Sequence, residues 1–345
     1  MGFFGRKRAP SVPHPRKEPR FDGPLTLERL EQIFQDCVDF TKRPVSLGEG
    51  GACTLTLCYL SGMVKMERVS DYVLRPLAQD EALARCGTPR QAMEEMMGGA
   101  LYNLSAAERT TLDEAAFDLV AGWCLLFFPG ESAVLSLFVG TEEKRSISSP
   151  SNETVLKGSR DAFVESLRTN TSIVRRHLKA PELRIREQVV GRQSVTSVDI
   201  LYIEGLTNPH LVEQVAAQLA DIDIDAVLAT GNIEEYIVPA ARTAFPLVQY
   251  TERSDRFCAG LAEGRVGILI DGLPLGYLAP GVLGDFLQAP QDKSESWLLA
   301  SALTLLRYLC MLGTLLLPAL YVAMVTFHQE MIPTRLALSI IAAKQ

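Results

Sequence analysis

Leu57-Cys58-Tyr59-Leu60-Ser61-Gly62-Met63 and Ile200-Leu201-Tyr202-Ile203-Glu204-Gly205-Leu206 follow one pattern, an apolar run that ends at a polar residue and glycine, with Tyr202 lying 143 positions after Tyr59. Further along, Leu119, Gly122 and Leu126-Phe127-Phe128-Pro129-Gly130 match Leu261, Gly264 and Ile268-Leu269-Ile270-Asp271-Gly272 at an offset of 142. Two separate matches at nearly one offset read as an internal duplication. Each unit reads as an apolar strand, a turn at glycine and an amphipathic helix. In the first, residues 54–60 lead to a helix near 66–79; in the second, 197–203 lead through Asn208-Pro209 to a helix whose Leu211, Val215 and Leu219 share a face.

Strands near 124–128 and 134–139, and near 266–270 and 275–279, are split by Pro129-Gly130 and Asp271-Gly272, which predicts a hairpin in each unit. Leu27, Leu30, Phe34 and Cys37 mark a helix before the first unit, with Thr26 as its cap. Between the units, Ser159 is placed to cap a helix bearing Phe163, Leu167, Val174 and Leu178. The fold class expected is α/β: two related subdomains, residues 25–150 and 191–296, joined by a helical linker over 151–190 and followed by a membrane region over 297–345.

The membrane region rests on Tyr308–Phe327, twenty residues without a charged side chain, a length that matches the hydrocarbon of a bilayer. One full helix is expected over about 303–327. Arg307 stands at its start, where it either extends its charge to the headgroups or pairs with a carboxylate in an oligomer. Pro318 removes a backbone donor mid-helix and predicts a kink. After Glu330 the chain turns apolar again at Leu336–Ala343, too short to cross, and it stops inside what looks like a second membrane element.

Composition narrows the function. At 345 residues and 47% hydrophobic the chain can bury two cores, and a net charge of −7 argues against a nucleic-acid partner. Arg6, Lys7, Arg8, Arg16, Lys17 and Arg20 crowd a Pro-rich start, so residues 1–24 read as a disordered basic tail, with contact to anionic headgroups as the second reading. Seven cysteines without a CxxC pair, and four scattered histidines, offer neither a disulfide framework nor a metal cluster. No apolar signal core precedes residue 25, so the large front domain is expected on the cytoplasmic side.

Catalytic signatures are missing. There is no P-loop, GxGxxG, GxSxG or HExxH, so no catalytic residue, cofactor or metal is expected. Asp221-Ile222-Asp223-Ile224-Asp225 begins like a calcium loop, but Ala226 and Asn232 stand where the loop needs Gly and Glu. The basic run Arg168, Arg175, Arg176, His177, Lys179, Arg184, Arg186 reads as a solvated helix face or as an intersubunit or lipid contact. Glu252-Arg253-Ser254-Asp255-Arg256 reads as a local ion-pair network.

From residue 151 onward the sequence becomes distinctive. Val155–Thr171, Ile222–Asp225, Phe245–Arg253 and Glu263–Val266 resemble segments of the GerA-type A subunits of spore-germination nutrient receptors. The strongest likeness runs from Leu306-Arg307-Tyr308 through Leu317-Pro318-Ala319 to His328-Gln329-Glu330-Met331-Ile332-Pro333-Thr334. The resemblance implies a non-enzymatic, oligomeric subunit of the inner membrane of endospores. It also implies a membrane B subunit that binds the germinant, a lipoprotein C subunit, and an ion-conducting path that releases ions from the spore. Arg307, Pro318 and Glu330 are the residues expected to couple domain and membrane. Family members continue past the last motif with further membrane helices, so the chain is expected to be a fragment or a truncated product. A membrane-anchored module that binds a cytoplasmic ligand, an enzyme of unknown type and an inactive remnant are the rival expectations.

Overall fold

In the computed structural model, residues 20–47, 53–86, 88–100, 105–140, 161–226, 246–287 and 296–327 are described. The chain forms two units. The first holds both halves of the duplication and runs to Gly281; the second begins at Val282.

The first half opens with helix α1 (Leu27–Ile33), where Thr26 Oγ1 accepts from the backbone N–H of Arg29, the cap its position predicts. Strands β1 (Phe40–Ser46) and β2 (Thr54–Leu60) follow, then a helical stretch. That stretch is α2 (Met66–Val69), a π-turn at Ser70–Leu74, α3 (Arg75–Gln79), α4 (Glu81–Ala84) and α5 (Pro89–Glu95). Then come β3 (Ala106–Arg109), α6 (Leu112–Val120), β4 (Trp123–Phe127) and β5 (Val134–Phe138). The second half repeats the order with α7 (Leu167–His177), β6 (Leu183–Val190), β7 (Thr196–Ile203) and α8 (Pro209–Ala220). It ends with β8 (Gln249–Thr251), α9 (Ser254–Ala262), β9 (Val266–Ile270) and β10 (Gly276–Ala279).

The two sheets have one topology. Their orders are β1-β2-β4-β5-β3 and β6-β7-β9-β10-β8, with every neighbouring pair antiparallel. Helices cover both faces of each sheet. In the first, Leu57, Leu126 and Leu135 face Val73, Leu77 and Met93, while Cys58, Leu60 and Leu125 face Leu30 of α1 and Leu119 of α6. In the second, Val198 and Ile200 face Val212, Val215 and Leu219 of α8, and Leu201 and Leu269 face α7 and α9. Burial on both sides explains why the central strands read as apolar runs rather than strict alternation.

Three boundaries differ from the sequence expectation. Residues 183–190, placed with the helical linker, form β6 and pair along β7 from Leu183↔Ile203 to Val190↔Thr196. Helix α7 begins at Leu167 with Ser166 in the cap position, so Phe163 precedes it; Ser159 lies outside the described residues. Phe21 packs on the α1–α6 core, so ordered packing starts inside the stretch assigned to the tail, whose residues 1–19 are outside the described set.

The second unit holds α10 (Leu283–Leu287) and α11 (Trp297–Phe327). Helix α11 has 31 residues, a mean hydropathy of 2.0 over its most apolar stretch and none of that stretch buried. At 1.5 Å per residue it is about 46 Å long, more than a hydrocarbon core of about 30 Å needs. The helix starts six residues before the expected 303, and the apolar stretch at Leu336–Ala343 lies outside the described residues.

In the second core, Phe257 of α9 meets Phe163 edge-on at 5.3 Å, and β9 passes so close beneath it that a Cβ on Gly267 would collide with the ring. Phe257→Ala is expected to destabilise the domain by about 3–5 kcal/mol, read from denaturant unfolding followed by circular dichroism.

Candidate functional site: the polar seam between the halves

Where the two halves meet, the first contributes the turn after α1 and the β2 turn, and the second contributes α7 and β6. The turn after α1 pairs with an edge strand. The Val38 N–H donates to the Ile185 carbonyl and the Ile185 N–H to the Asp36 carbonyl, both at 3.0 Å, a parallel bridge that extends the second sheet beyond β6. This also covers the open edge of β6.

Beneath that bridge Arg175 of α7 reaches Asp39 with both arms of its fork, Nε to Oδ2 at 2.8 Å and Nη2 to Oδ1 at 3.0 Å. Both side chains are buried, at 1% and 2% exposure, which places a two-pronged ion pair inside the protein. Burial opposes Arg175's charge, but the Asp39 carboxylate outweighs it and holds the guanidinium above its usual range. Nη2 also donates to Cys37 Sγ at 3.4 Å. Burial pushes the Cys37 thiol up, so it stays a neutral, structural thiol rather than a nucleophile.

A second, wetter cluster lies beside it. Asp36 accepts from Arg186 at 2.9 Å and from the Tyr202 hydroxyl at 3.2 Å, while Arg186 also reaches Glu213 at 2.7 Å and lies 5.5 Å over the Tyr202 ring. Arg20 pairs with the buried Glu182 at 2.9 Å. At the β2 turn, the Ser61 N–H and hydroxyl both donate to the Asp39 carbonyl, at 2.8 and 3.1 Å. The next residue, Gly62, has φ +86° and sits where a Cβ would strike Ser172 Oγ of α7. Glycine is required there on both counts.

Under α7, Asp199 of β7 is fully buried. Its Oδ2 is 2.9 Å from Thr171 Oγ1 and 3.5 Å from an Arg168 nitrogen. Burial pushes its carboxyl up to about 6, against the pull of the Thr171 hydrogen bond and of Arg168. Arg168 is paired more closely with Glu187, at 2.7 Å.

The basic run is therefore neither a solvated face nor an intersubunit contact at its centre. Arg175 and Arg184 are buried, and Arg168, Arg175, Arg184 and Arg186 all hold carboxylates of the same chain. Arg253 likewise pairs with Asp255 through two bonds, at 3.0 and 2.5 Å. Sequence reading missed Asp39 and Asp199, since a single acid between apolar residues carries no spacing signal.

One constellation invites a catalytic reading. Ser254 Oγ lies 3.1 Å from His177 Nε2, and an Asp161 oxygen lies 3.5 Å from the same nitrogen. A relay needs the acid on Nδ1 and the nucleophile on Nε2. With both on one nitrogen the imidazole cannot pass a proton between them. Among the described residues no three metal-ligating side chains converge.

Of the residues expected to couple domain and membrane, Arg307 donates to the Leu287 carbonyl of α10 at 3.0 Å. Pro318 lies inside α11, which stays helical through it. Eleven residues of helix, about 16 Å, separate the two, so they form no common site. Glu330 lies outside the described residues.

A duplicated, helix-covered antiparallel domain followed by a helix long and apolar enough to cross a membrane defines the class of protein. The chain belongs to the Bacillus/Clostridium GerA spore germination protein family, whose model matches residues 28–345. It is 35% identical to the uncharacterized membrane protein YfkQ of Bacillus subtilis over 92% of this chain and 61% of that one. To spore germination protein KA of the same organism it is 34% identical, over 89% of this chain and 56% of the other. The chain thus spans about three-fifths of the length of these relatives. Its fold matches the crystal structure of the N-terminal domain of the A subunit of the Bacillus megaterium spore germinant receptor GerK3. That match has a TM-score of 0.59 and 26% identity, and covers 76% of this chain and 99% of that one.

Arg175→Ala leaves Asp39 buried without its partner and is expected to cost about 3–5 kcal/mol of stability. Adding Asp39→Ala should recover part of that loss, so the double variant falls short of the summed singles in denaturant unfolding. Simple additivity would show that the pair is not coupled.

Proposed function

We propose that this chain acts as the A subunit of a spore germinant receptor, without catalysis of its own. The reading is carried by one observation: the duplicated domain matches the N-terminal domain of a germinant receptor A subunit over nearly its whole length, and a membrane-length helix follows it. In this reading α11 crosses the inner membrane of the endospore with the duplicated domain on the cytoplasmic side. The subunit assembles with copies of itself and with B and C subunits. Nutrient binding elsewhere in the assembly then shifts its population toward a state that releases ions, which requires a differential affinity between the two states.

Arg307, Pro318 and Glu330 have coupling roles in this scheme. Arg307, ten residues into α11, ties that helix to α10 through the Leu287 carbonyl. Pro318 interrupts the backbone ladder, since it has no N–H for the Thr314 carbonyl four residues earlier. A helix with one weakened turn can bend there when its neighbours move.

Spores lacking the gene are expected to lose their response to at least one nutrient and to regain it when the gene is returned. A tagged copy should bring B-type and C-type subunits with it from solubilised spore membranes. Pro318→Ala should leave protein levels unchanged and blunt the response. Normal germination on every nutrient, with no co-purifying receptor subunit, would overturn the assignment.

A further inference from the structure

We propose that the seam is a proton-linked latch: Asp199 carries a proton when α7 is seated against both halves, and its loss loosens α7 from the first half. The hydrogen count around Thr171 supports this. Its single hydroxyl hydrogen faces two acceptors, the Leu167 carbonyl at 3.0 Å and Asp199 Oδ2 at 2.9 Å. If Asp199 is protonated it donates to Thr171 Oγ1, and Thr171 donates to Leu167, so both bonds are made. If Asp199 is ionised one of the two is lost. Its other oxygen, Oδ1, is buried with no hydrogen-bond partner among the described residues, a costly position for a charged carboxylate.

The charged groups around the site pull both ways, Arg168 toward ionisation and two carboxylates against it, so burial decides. On β6, Glu187 stands directly opposite Asp199, and Asp39 approaches from the first half; both raise its carboxyl. On α7, Arg175 is taken by Asp39, and Arg168 is held by Glu187 with a half-exposed side chain whose attraction water screens. Opposite on β9 is the apolar Leu269. The repeat supplies a control. In the first half Thr56 faces Pro44 at the register position where Asp199 faces Glu187. The fold therefore does not need an acid there.

The consequence reaches the seam through α7 itself. Thr171 lies beside Ser172, whose hydroxyl bonds the Arg168 carbonyl at 2.6 Å and packs on Gly62, and one turn before Arg175 with its Asp39 partner. An ionised Asp199 draws Arg168 toward itself and away from Glu187, which disturbs the turn that carries these contacts.

The sign follows from linkage. The folded carboxyl titrates near 6 and an unfolded aspartate near 4. The folded state keeps the proton while the unfolded state loses it, so stability falls as pH rises from about 4 to about 6 and is level above.

The test is hydrogen exchange on the full chain in detergent micelles, corrected for intrinsic rates. Between pH 5 and pH 7.5 the Val38 and Ile185 amides should lose up to about tenfold protection, the factor one pKa unit supplies. Asp199→Asn, whose amide can donate to Thr171 as the protonated acid does, should keep the low-pH protection throughout. Wild-type protection that ignores pH, or an equal change in Asp199→Asn, overturns the latch. Should that variant fail to fold, infrared titration of the wild type decides. A buried carboxyl carbonyl band that fades through about pH 6, and shifts in Thr171→Val, supports the latch; absence of the band overturns it. Both readouts use the isolated chain, so they test the latch separately from the receptor assignment.

Discussion

The Arg175–Asp39 pair sets the relation between the two halves. A buried ion pair is expensive to desolvate, and an apolar pair of equal volume would often be at least as stable. What the pair adds is geometry. Two parallel bonds fix the guanidinium plane against the carboxylate, beside the bridge that joins Asp36–Val38 to Ile185. Helix α7 is well suited to carry it. Leu167 and Val174 face the second core, while Ser172 and Arg175 turn to the first half, so one helix seats in both.

The duplication explains the architecture, and its departures locate the specialised parts. Each half has a helix before its first hairpin, a helical connection, an edge strand, a helix and a second hairpin. The connection differs most: the first half uses four short helices and a π-turn over a core containing Met93 and Met96, whereas the helix described in the second is α8. The two outer edges also differ. Lys42, Arg43 and Pro44 make β1 a poor template for another strand, while the same edge of the second sheet is taken by the Asp36–Val38 segment.

Much of this is legible in the sequence because it is local. The repeat, the hairpin turns, the caps at Thr26 and Asn208 and the long apolar helix all leave marks within a few residues. The edge strands do not. Phe40–Ser46 and Leu183–Val190 interleave polar with apolar residues, so neither shows the apolar run that betrays β2 or β9. The seam is harder still. Arg175 and Asp39 are 136 positions apart, and an arginine at the end of a basic helix looks solvated until its partner is known. Family resemblance names the class of protein and says nothing of these contacts.

A helix of membrane-span length such as α11 carries its own constraint. In hydrocarbon every backbone carbonyl must find a donor within protein. Ser301 and Thr314 return their hydroxyls to α11's own carbonyls, at Trp297 and Met311. Pro318 leaves the Thr314 carbonyl without its usual N–H, and the Thr314 hydroxyl is already committed to Met311. The regular α-helical ladder therefore leaves one carbonyl without its donor. Neighbouring helices, water or a local 3₁₀ or π adjustment of the backbone can each supply the missing donor. Pro318 therefore places a demand on its surroundings that the rest of the α11 ladder does not.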